Sequence, residues 1–423
     1  MRMTGPKLTI GVLGSEDPEK GGVYQYALSL VRALASAPEP SVQFVLFATD
    51  RYPGVEDLLR RGWRLEPPPA VSVSVTPGRL AARITHARRH VAAHAAKRLG
   101  VIARARTNRE LQQRVRSAGV DLMIYPIPTP LAFQAGVPYV MAIHDLQHRL
   151  SPDVSEVSAP LVWAEREYRY RRGAPRAAVL LADSEEGKED ILRFYGRHGV
   201  RPDAIRVLPF VPPPYLASAA SQTDAASVAH KYALPDRFFF YPASTWPSKN
   251  HVRLVGALGV LHRRGHGADL VLCGATRGGL REQTLAELQA RADAEGVGNR
   301  VHHLGFVPDE EMGVIYRRAL ALTMPTLLGP TNIPVVEAWS LGCPVLTSDL
   351  RGIREHAGDA AVLVDPTDVE SIADGMERLI VEPGLRERLG EAGRRRLAAY
   401  SFEQFQARLL DAVDTATTRI ARA

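Results

Sequence analysis

The 423-residue chain is predicted to be an α/β protein built from two doubly wound domains. Three observations carry that expectation. Short apolar runs alternate with segments of helical spacing through both halves of the chain. The alternation is interrupted once, by the proline- and small-residue-rich stretch VPPPYLASAASQTDAAS at 211–227, which has the composition of a linker. The length also exceeds what a single core usually organises.

In the first half, strands are predicted at 7–13, 42–48, 71–75, 121–126, 139–144, 178–182 and 205–209. Helices fall between them at 23–35, 79–99, 108–117, 160–172 and 185–195. The 23–35 segment repeats its apolar residues at Tyr26, Leu30 and Leu34, one face of a helix. In the second half, strands are predicted at 238–241, 269–273, 301–304, 321–324, 345–347 and 361–364. The chain closes in helices near 369–380, 385–399 and 402–418.

The most informative stretch is LTMPTLLGPTNIPVVEAWSLGCPVLTSD, residues 322–349. The apolar run to Met324 fits a buried parallel strand, ended by Pro325. A small-residue loop with Gly329, Pro330, Thr331, Asn332 and Ile333 leads to a helix from about Pro334. Proline suits its first turn, where the missing N–H would be unpaired anyway. Gly342 and Pro344 end the helix. Such a strand, loop and helix N-terminus forms an anion site, with free N–H groups and the favourable end of the dipole. Glu337, placed in the first turn, fits two roles: complementing the dipole, or accepting hydrogen bonds from sugar hydroxyls beside a bound phosphate.

Composition excludes several classes. With 45% hydrophobic and 23% charged residues the chain is an ordinary globular protein. No apolar run approaches the roughly 20 residues of a membrane helix, and the N-terminus leads straight into a strand without a signal-peptide core. Cys273 and Cys343 lie far apart in apolar segments, which argues against a disulfide framework or metal site and for a reducing cytoplasm. The net charge of +7 is concentrated between Arg79 and Arg116, where eleven Lys or Arg accompany one acid, Glu110. Solvated helix faces or contact with an anionic membrane surface account for such a run. Nucleic acid does not, because the stretch has no aromatic residues for base stacking.

IPVVEAWSLGCPVLTSD resembles the signature segment of retaining glycosyltransferases of family four (glycosyl transferases group 1), which have the GT-B fold. Five further segments, spread from residue 8 to about 402, extend the resemblance over nearly the whole chain. It implies two Rossmann-like domains facing each other across a cleft. Residues 1–212 would form the acceptor domain, 213–398 the nucleotide-sugar donor domain, and 399–423 a helix crossing back. The family carries Glu, seven residues, then Glu. The second corresponds to Glu337 and would bind the donor ribose, whereas the first is replaced here by Gly329. The variant GPTNIP resembles a subgroup lacking that first carboxylate, with Thr331 or Asn332 as its replacement.

The other segments add site residues. Gly21 and Gly22 follow the first strand, where paired glycines let backbone approach a ligand or simply make a turn; in the family this loop borders the donor phosphates or the acceptor. His144 and Asp145, in AIHDLQHRL, stand at the carboxyl end of a strand, the ligand side of an open sheet. A histidine there is either a structural hydrogen bonder or a substrate contact, and the resemblance implies contact of His144 with the transferred sugar; His148 is a lesser candidate. Ser184 is a helix N-cap. Lys249 matches the donor-diphosphate lysine, but the family's arginine five residues earlier is Ser244 here. Arg277, in CGATRGG, is a candidate for the second charge. Phe306 and Val307 match the segment whose backbone holds the base.

The implied reaction is retaining transfer of a hexose or deoxyhexose from a nucleotide-diphosphate sugar to an acceptor hydroxyl of a carbohydrate, lipid-linked molecule or natural product. No Asp-x-Asp motif is present, so no metal and no other cofactor is expected. Two alternatives share the fold and the donors: a nucleotide-sugar epimerase, and a non-catalytic nucleotide-sugar-binding subunit.

Overall fold

The computed structural model describes residues 8–17, 21–37, 42–69, 91–95, 97–102, 105, 107–213, 224–329 and 332–421. The strand expected at 71–75, most of the basic helix at 79–99, and Thr331 lie outside these residues. The chain forms two compact units, Met1–Pro209 with Glu403–Ala423, and Phe210–Phe402.

The first unit is a seven-stranded sheet in the order β3-β2-β1-β4-β5-β6-β7. Its strands are β1 (Leu8–Leu13), β2 (Val42–Phe47), β3 (Arg64–Glu66), β4 (Leu122–Tyr125), β5 (Tyr139–Ile143), β6 (Val179–Ala182) and β7 (Ile205–Val207). All pairings are parallel, as in β1 on β2 from Leu8↔Val42 to Leu13↔Phe47. Every residue of β4, β5 and β6 is buried. This is why these strands read as unbroken apolar runs rather than as alternating ones. β3, with one exposed and two half-buried residues, gave no such signal and was not anticipated.

The last helix, Phe402–Ala421, belongs to this first unit. Phe405 meets Tyr26 edge-on at 6.1 Å, Gln406 donates to the Ala33 carbonyl, and Arg419 donates to the carbonyls of Ala178 and Asp203.

The second unit repeats the plan with six parallel strands in the order β10-β9-β8-β11-β12-β13. They are β8 (Phe238–Pro242), β9 (Asp269–Cys273), β10 (Val301–His303), β11 (Ala321–Met324), β12 (Val345–Ser348) and β13 (Val362–Val364). Phe238 to Tyr241 are fully buried. Both cysteines are buried and free, and burial pushes the Cys343 thiol up to about 12. Part of the stretch read as linker is helical: Asp224 caps a helix at Ala225–Lys231 by accepting from the N–H groups of Ala226 and Ser227. Among the described residues no helix is long and apolar enough to cross a membrane.

Two buried histidines make this unit sensitive to acid. His251, stacked on Tyr241 at 4.8 Å, is pushed down to about 3 by burial and then by the Lys249 ammonium. His356, stacked on Trp339 at 5.1 Å, is pushed down to about 4 by burial and then by Arg396. Their folded pKa values lie below the unfolded value near 6.5, so below that pH the unfolded chain binds protons that the folded chain refuses. Stability is then lost as pH falls, by up to ~1.4 kcal/mol per pH unit for each histidine. His144, whose pKa is raised, does not offset this, being charged in both states below about 6.5. We expect Tm to fall between pH 6.5 and pH 5, and to fall less in His356→Phe. Equal slopes for variant and wild type would show that His356 is not a source of the dependence.

Candidate active site

The sequence-derived residues gather at the carboxyl ends of the strands in each unit, where an open parallel sheet leaves its crevice. In the first unit, His144 follows β5. Its Nε2 lies 2.8 Å from the Pro126 carbonyl after β4, and its Nδ1 lies 3.1 Å from Asp183 Oδ1 after β6. Both partners can only accept, so satisfying both requires both ring nitrogens to be protonated. Burial alone would depress the pKa, but the Asp183 carboxylate and the two hydrogen bonds outweigh it and raise it above the ordinary value. The geometry therefore favours the protonated ring, which ties together three strand ends. Ser184 is the expected N-cap, its Oγ accepting from the Gly187 N–H at 3.0 Å.

The segment after His144 is held by a helix that the sequence marked only as a helix, Pro160–Gly173. Glu167 is fully buried beneath it. It accepts from Arg149 Nε at 2.7 Å, from Arg149 Nη2 at 2.6 Å and from the Tyr195 hydroxyl at 2.8 Å, and it pairs with Arg171. It also accepts from His148 Nε2 at 2.9 Å, while His148 Nδ1 accepts from Arg166 at 3.2 Å, so His148 is the neutral tautomer. Burial lowers the pKa of His148 further. For Glu167, burial pushes the other way but loses to these donors, leaving the carboxyl well below its usual range. Arg166 also pairs with Asp145, and Tyr170 donates to the Asp145 carbonyl at 3.0 Å. His148 thus belongs to the scaffold that positions His144.

Gly21 is the N-cap of the Gly22–Ala35 helix. Its φ of 54° is a conformation side-chain-bearing residues rarely adopt, and a Cβ there would meet nothing within 4 Å. The turn exposes backbone at a helix N-terminus that has no acidic residue in its first turn.

In the second unit the loops after β8 and β11 are stitched to each other at the point where the strand order reverses. Lys249 ends a short 3₁₀ turn at Pro247–Lys249, and Asn250 follows with a left-handed φ of 63°. The buried Asn250 amide donates to the Pro325 carbonyl at 2.8 Å, after β11, and to the Pro366 carbonyl at 2.6 Å, after β13. The Leu327 N–H and the Thr326 hydroxyl both donate to the Ser248 carbonyl, at 2.8 and 3.1 Å. These bonds fix the backbone that carries Lys249 relative to the loop leading to the next helix. Asn250, the second residue of the Lys-Asn pair at this helix start, is the residue that builds the site, a role its place in the sequence did not reveal.

Ser244, half-buried, lies where Gly274 passes closest: a Cβ on Gly274 would sit 2.7 Å from both the Ala243 carbonyl carbon and the Ser244 nitrogen. With its φ of 132°, Gly274 tolerates no other residue without moving this loop. Beyond it, Phe306 is 73% exposed while Val307 is buried, so the loop after β10 is anchored by one side chain and presents the other.

The helix after β11 is Ile333–Ser340, one residue earlier than expected. This corrects the placement of Glu337, which lies in the second turn and is buried. It accepts from the Tyr316 hydroxyl at 2.6 Å, and its charge helps to raise the Cys273 thiol. A buried carboxylate beyond the first turn is poorly placed to complement the dipole, which argues against the first of its two expected roles. Ile333 is buried at the first helical position, and Asn332 stands at the N-cap without capping. Asn332 is 92% buried, and among the described residues its Nδ2 has no hydrogen-bond partner. A Cβ on Gly329 would fall 3.2 Å from its Oδ1, so the amide lies beside the space a side chain at 329 would enter.

Residues 223–396 match the family model described as glycosyl transferases group 1. The chain is similar to the O-antigen chain mannosyltransferase B of Escherichia coli, with 24% identity over 63% of this chain and 71% of that one. It is also similar to the alpha-D-kanosaminyltransferase of Streptomyces kanamyceticus, with 24% identity over 60% of this chain and 64% of that one. Among solved structures, Anabaena HepE in complex with UDP and glucose superposes with a TM-score of 0.67 at 16% identity, over 96% of this chain and all of that one. Sucrose-phosphate synthase from Thermosynechococcus elongatus superposes with a TM-score of 0.66 at 19% identity, over 98% of this chain and all of that one. The two parallel-sheet units have the GT-B fold, and the family match over residues 223–396, together with the named relatives, supports a glycosyltransferase of the glycosyl transferases group 1 type.

Proposed function

We propose that this protein is a retaining, metal-independent glycosyltransferase that moves a hexose or deoxyhexose from a nucleotide-diphosphate sugar to an acceptor hydroxyl. The observation that carries the reading is the stitched pair of loops in the second unit. There Asn250 ties the turn that carries Lys249 to Pro325, at the start of the loop that leads to the 333–340 helix, and to Pro366. A cation and a helix N-terminus neutralise a departing diphosphate by preorganised electrostatics. Glu337 positions the donor ribose, Asn332 takes the role of the absent carboxylate at Gly329 toward the transferred sugar, and Phe306 and Val307 border the base. Thr331, Ile333 and Ser244 complete the donor site, with Gly21 and Gly22 beside the phosphates or the acceptor.

His144 contacts the sugar as a positioned cation, its ring already committed to Pro126 and Asp183. In the reaction the bond from the anomeric carbon to the diphosphate oxygen breaks. The acceptor oxygen bonds the same face, and its proton passes to the leaving phosphate. Residues 1–212 serve the acceptor, which is a carbohydrate, a lipid-linked molecule or a natural product, and 213–398 serve the donor, with 399–423 returning to the first domain. We place the enzyme in the cytoplasm, with the basic stretch 79–116 in peripheral contact with an anionic membrane. Exposed Val91 and Leu99 beside Lys97 and Arg98 support that contact.

Thermal-shift titration with UDP, GDP, dTDP and ADP, each with and without EDTA, tests the reading. A ligand at a hundred times its Kd stabilises the native state by about 2.7 kcal/mol. We expect one nucleotide to raise Tm with EDTA making no difference; no shift with any of the four would overturn the proposal.

A further inference from the structure

Ser244 leaves the proposed diphosphate site with one lysine where two phosphates need charge, and the two arginines that follow β9, Arg277 and Arg281, are the candidates to meet the loop that carries Ser244. Arg277 is exposed in the turn before the Leu280–Ala294 helix. Arg281 does make contact. Its guanidinium lies over the Trp246 ring, 5.1 Å from the centroid, and its backbone carbonyl accepts from the Thr245 hydroxyl at 2.9 Å. Thr245 also donates its N–H to the Ala275 carbonyl at 3.1 Å, so the segments 244–249 and 275–281 are joined at two places.

Three features of Arg281 ask for an anion. It stands in the first turn of a 15-residue helix, where a cation opposes the dipole. Among the described residues no carboxylate reaches its guanidinium, in contrast to Arg264, which pairs with Glu370, Asp374 and Glu377. Its Nε is buried and has no hydrogen-bond partner among the described residues, a state it shares with Arg291 and Arg396, so this feature counts only together with the other two. Glu282, the nearest acid in sequence, is engaged in accepting from the Gly278 N–H at 2.8 Å. A cation–π contact with the indole holds the guanidinium beside the loop and leaves its N–H groups able to bond phosphate oxygens.

We propose that Arg281, resting over the Trp246 ring, supplies the second cation for the donor diphosphate, standing in for the charge missing at Ser244. The proposal rests on the donor-site reading above. The test uses the full-length protein and whichever of UDP, GDP, dTDP or ADP gives the largest thermal shift, with its unphosphorylated nucleoside as control. Arg281→Gln is expected to weaken diphosphate binding about tenfold by calorimetry and nucleoside binding less than twofold, with the ligand-free Tm unchanged. Arg281→Lys, which keeps charge without the planar fork, is expected to lose about threefold, and it is read in place of Arg281→Gln if the latter melts early. Diphosphate binding equal to wild type in both variants, or an equal loss for the nucleoside, overturns the role of Arg281 and leaves the donor site standing. If the wild-type protein binds no nucleotide, the donor-site reading falls and Arg281 falls with it.

Discussion

Lys249→Ala is expected to lower sugar transfer about 10²- to 10³-fold while leaving the ligand-free Tm nearly unchanged. Lys249 is half-buried at the end of a short turn, and main-chain hydrogen bonds and the Asn250 amide fix that turn. The Lys249 carbonyl, which accepts from the Tyr241 hydroxyl at 3.0 Å, survives the substitution. Removing the ammonium therefore costs charge at the leaving group and little packing. His251 supplies an internal check, because the same ammonium helps to hold its pKa down; in Lys249→Ala that pKa should rise. Transfer at the wild-type rate would remove Lys249 from the mechanism. A large loss of Tm together with activity would make it a structural residue instead.

Glu167→Leu is expected to destabilise the first unit by about 3–5 kcal/mol, the usual cost of breaking a buried ionic network from one side. Glu167 is fully buried, and its loss leaves Arg149 and Arg171 without their carboxylate and Tyr195 and His148 without their acceptor. For a unit of this size the change corresponds to roughly 10 °C in Tm. Because the network anchors the segment after His144, transfer should fall even at temperatures where the variant stays folded. Calorimetric melting of wild type and variant decides the matter: a loss below about 1 kcal/mol would mean that the remaining hydrogen bonds hold the segment alone.

These two residues mark how far the sequence reached. Lys249 was legible because the Lys-Asn pair after a buried strand matches the segment of the family that the chain resembles. Glu167 was not, because three of its four partners, His148, Arg149 and Tyr195, come from two other places in the chain, and EREYRYRR reads along the sequence as a solvated helix. The same division holds elsewhere. The strands of both sheets were legible wherever both faces are covered, since burial of every residue leaves an unbroken apolar run. The half-exposed β3 left no such run and was missed.

By itself the sequence determined the alternation of strands and helices, the two-sheet plan, and the stretches that arrive at the carboxyl ends of the strands. All of these follow from local periodicity and turn chemistry. Tertiary structure alone decided what those residues do on arrival. It committed His144 to Pro126 and Asp183, used Asn250 to bind three loops together, moved Glu337 out of the first helical turn, and laid Arg281 on Trp246. Hydrogen bonds and stacking depend on distances between residues tens of positions apart, and only the folded sheet sets those distances.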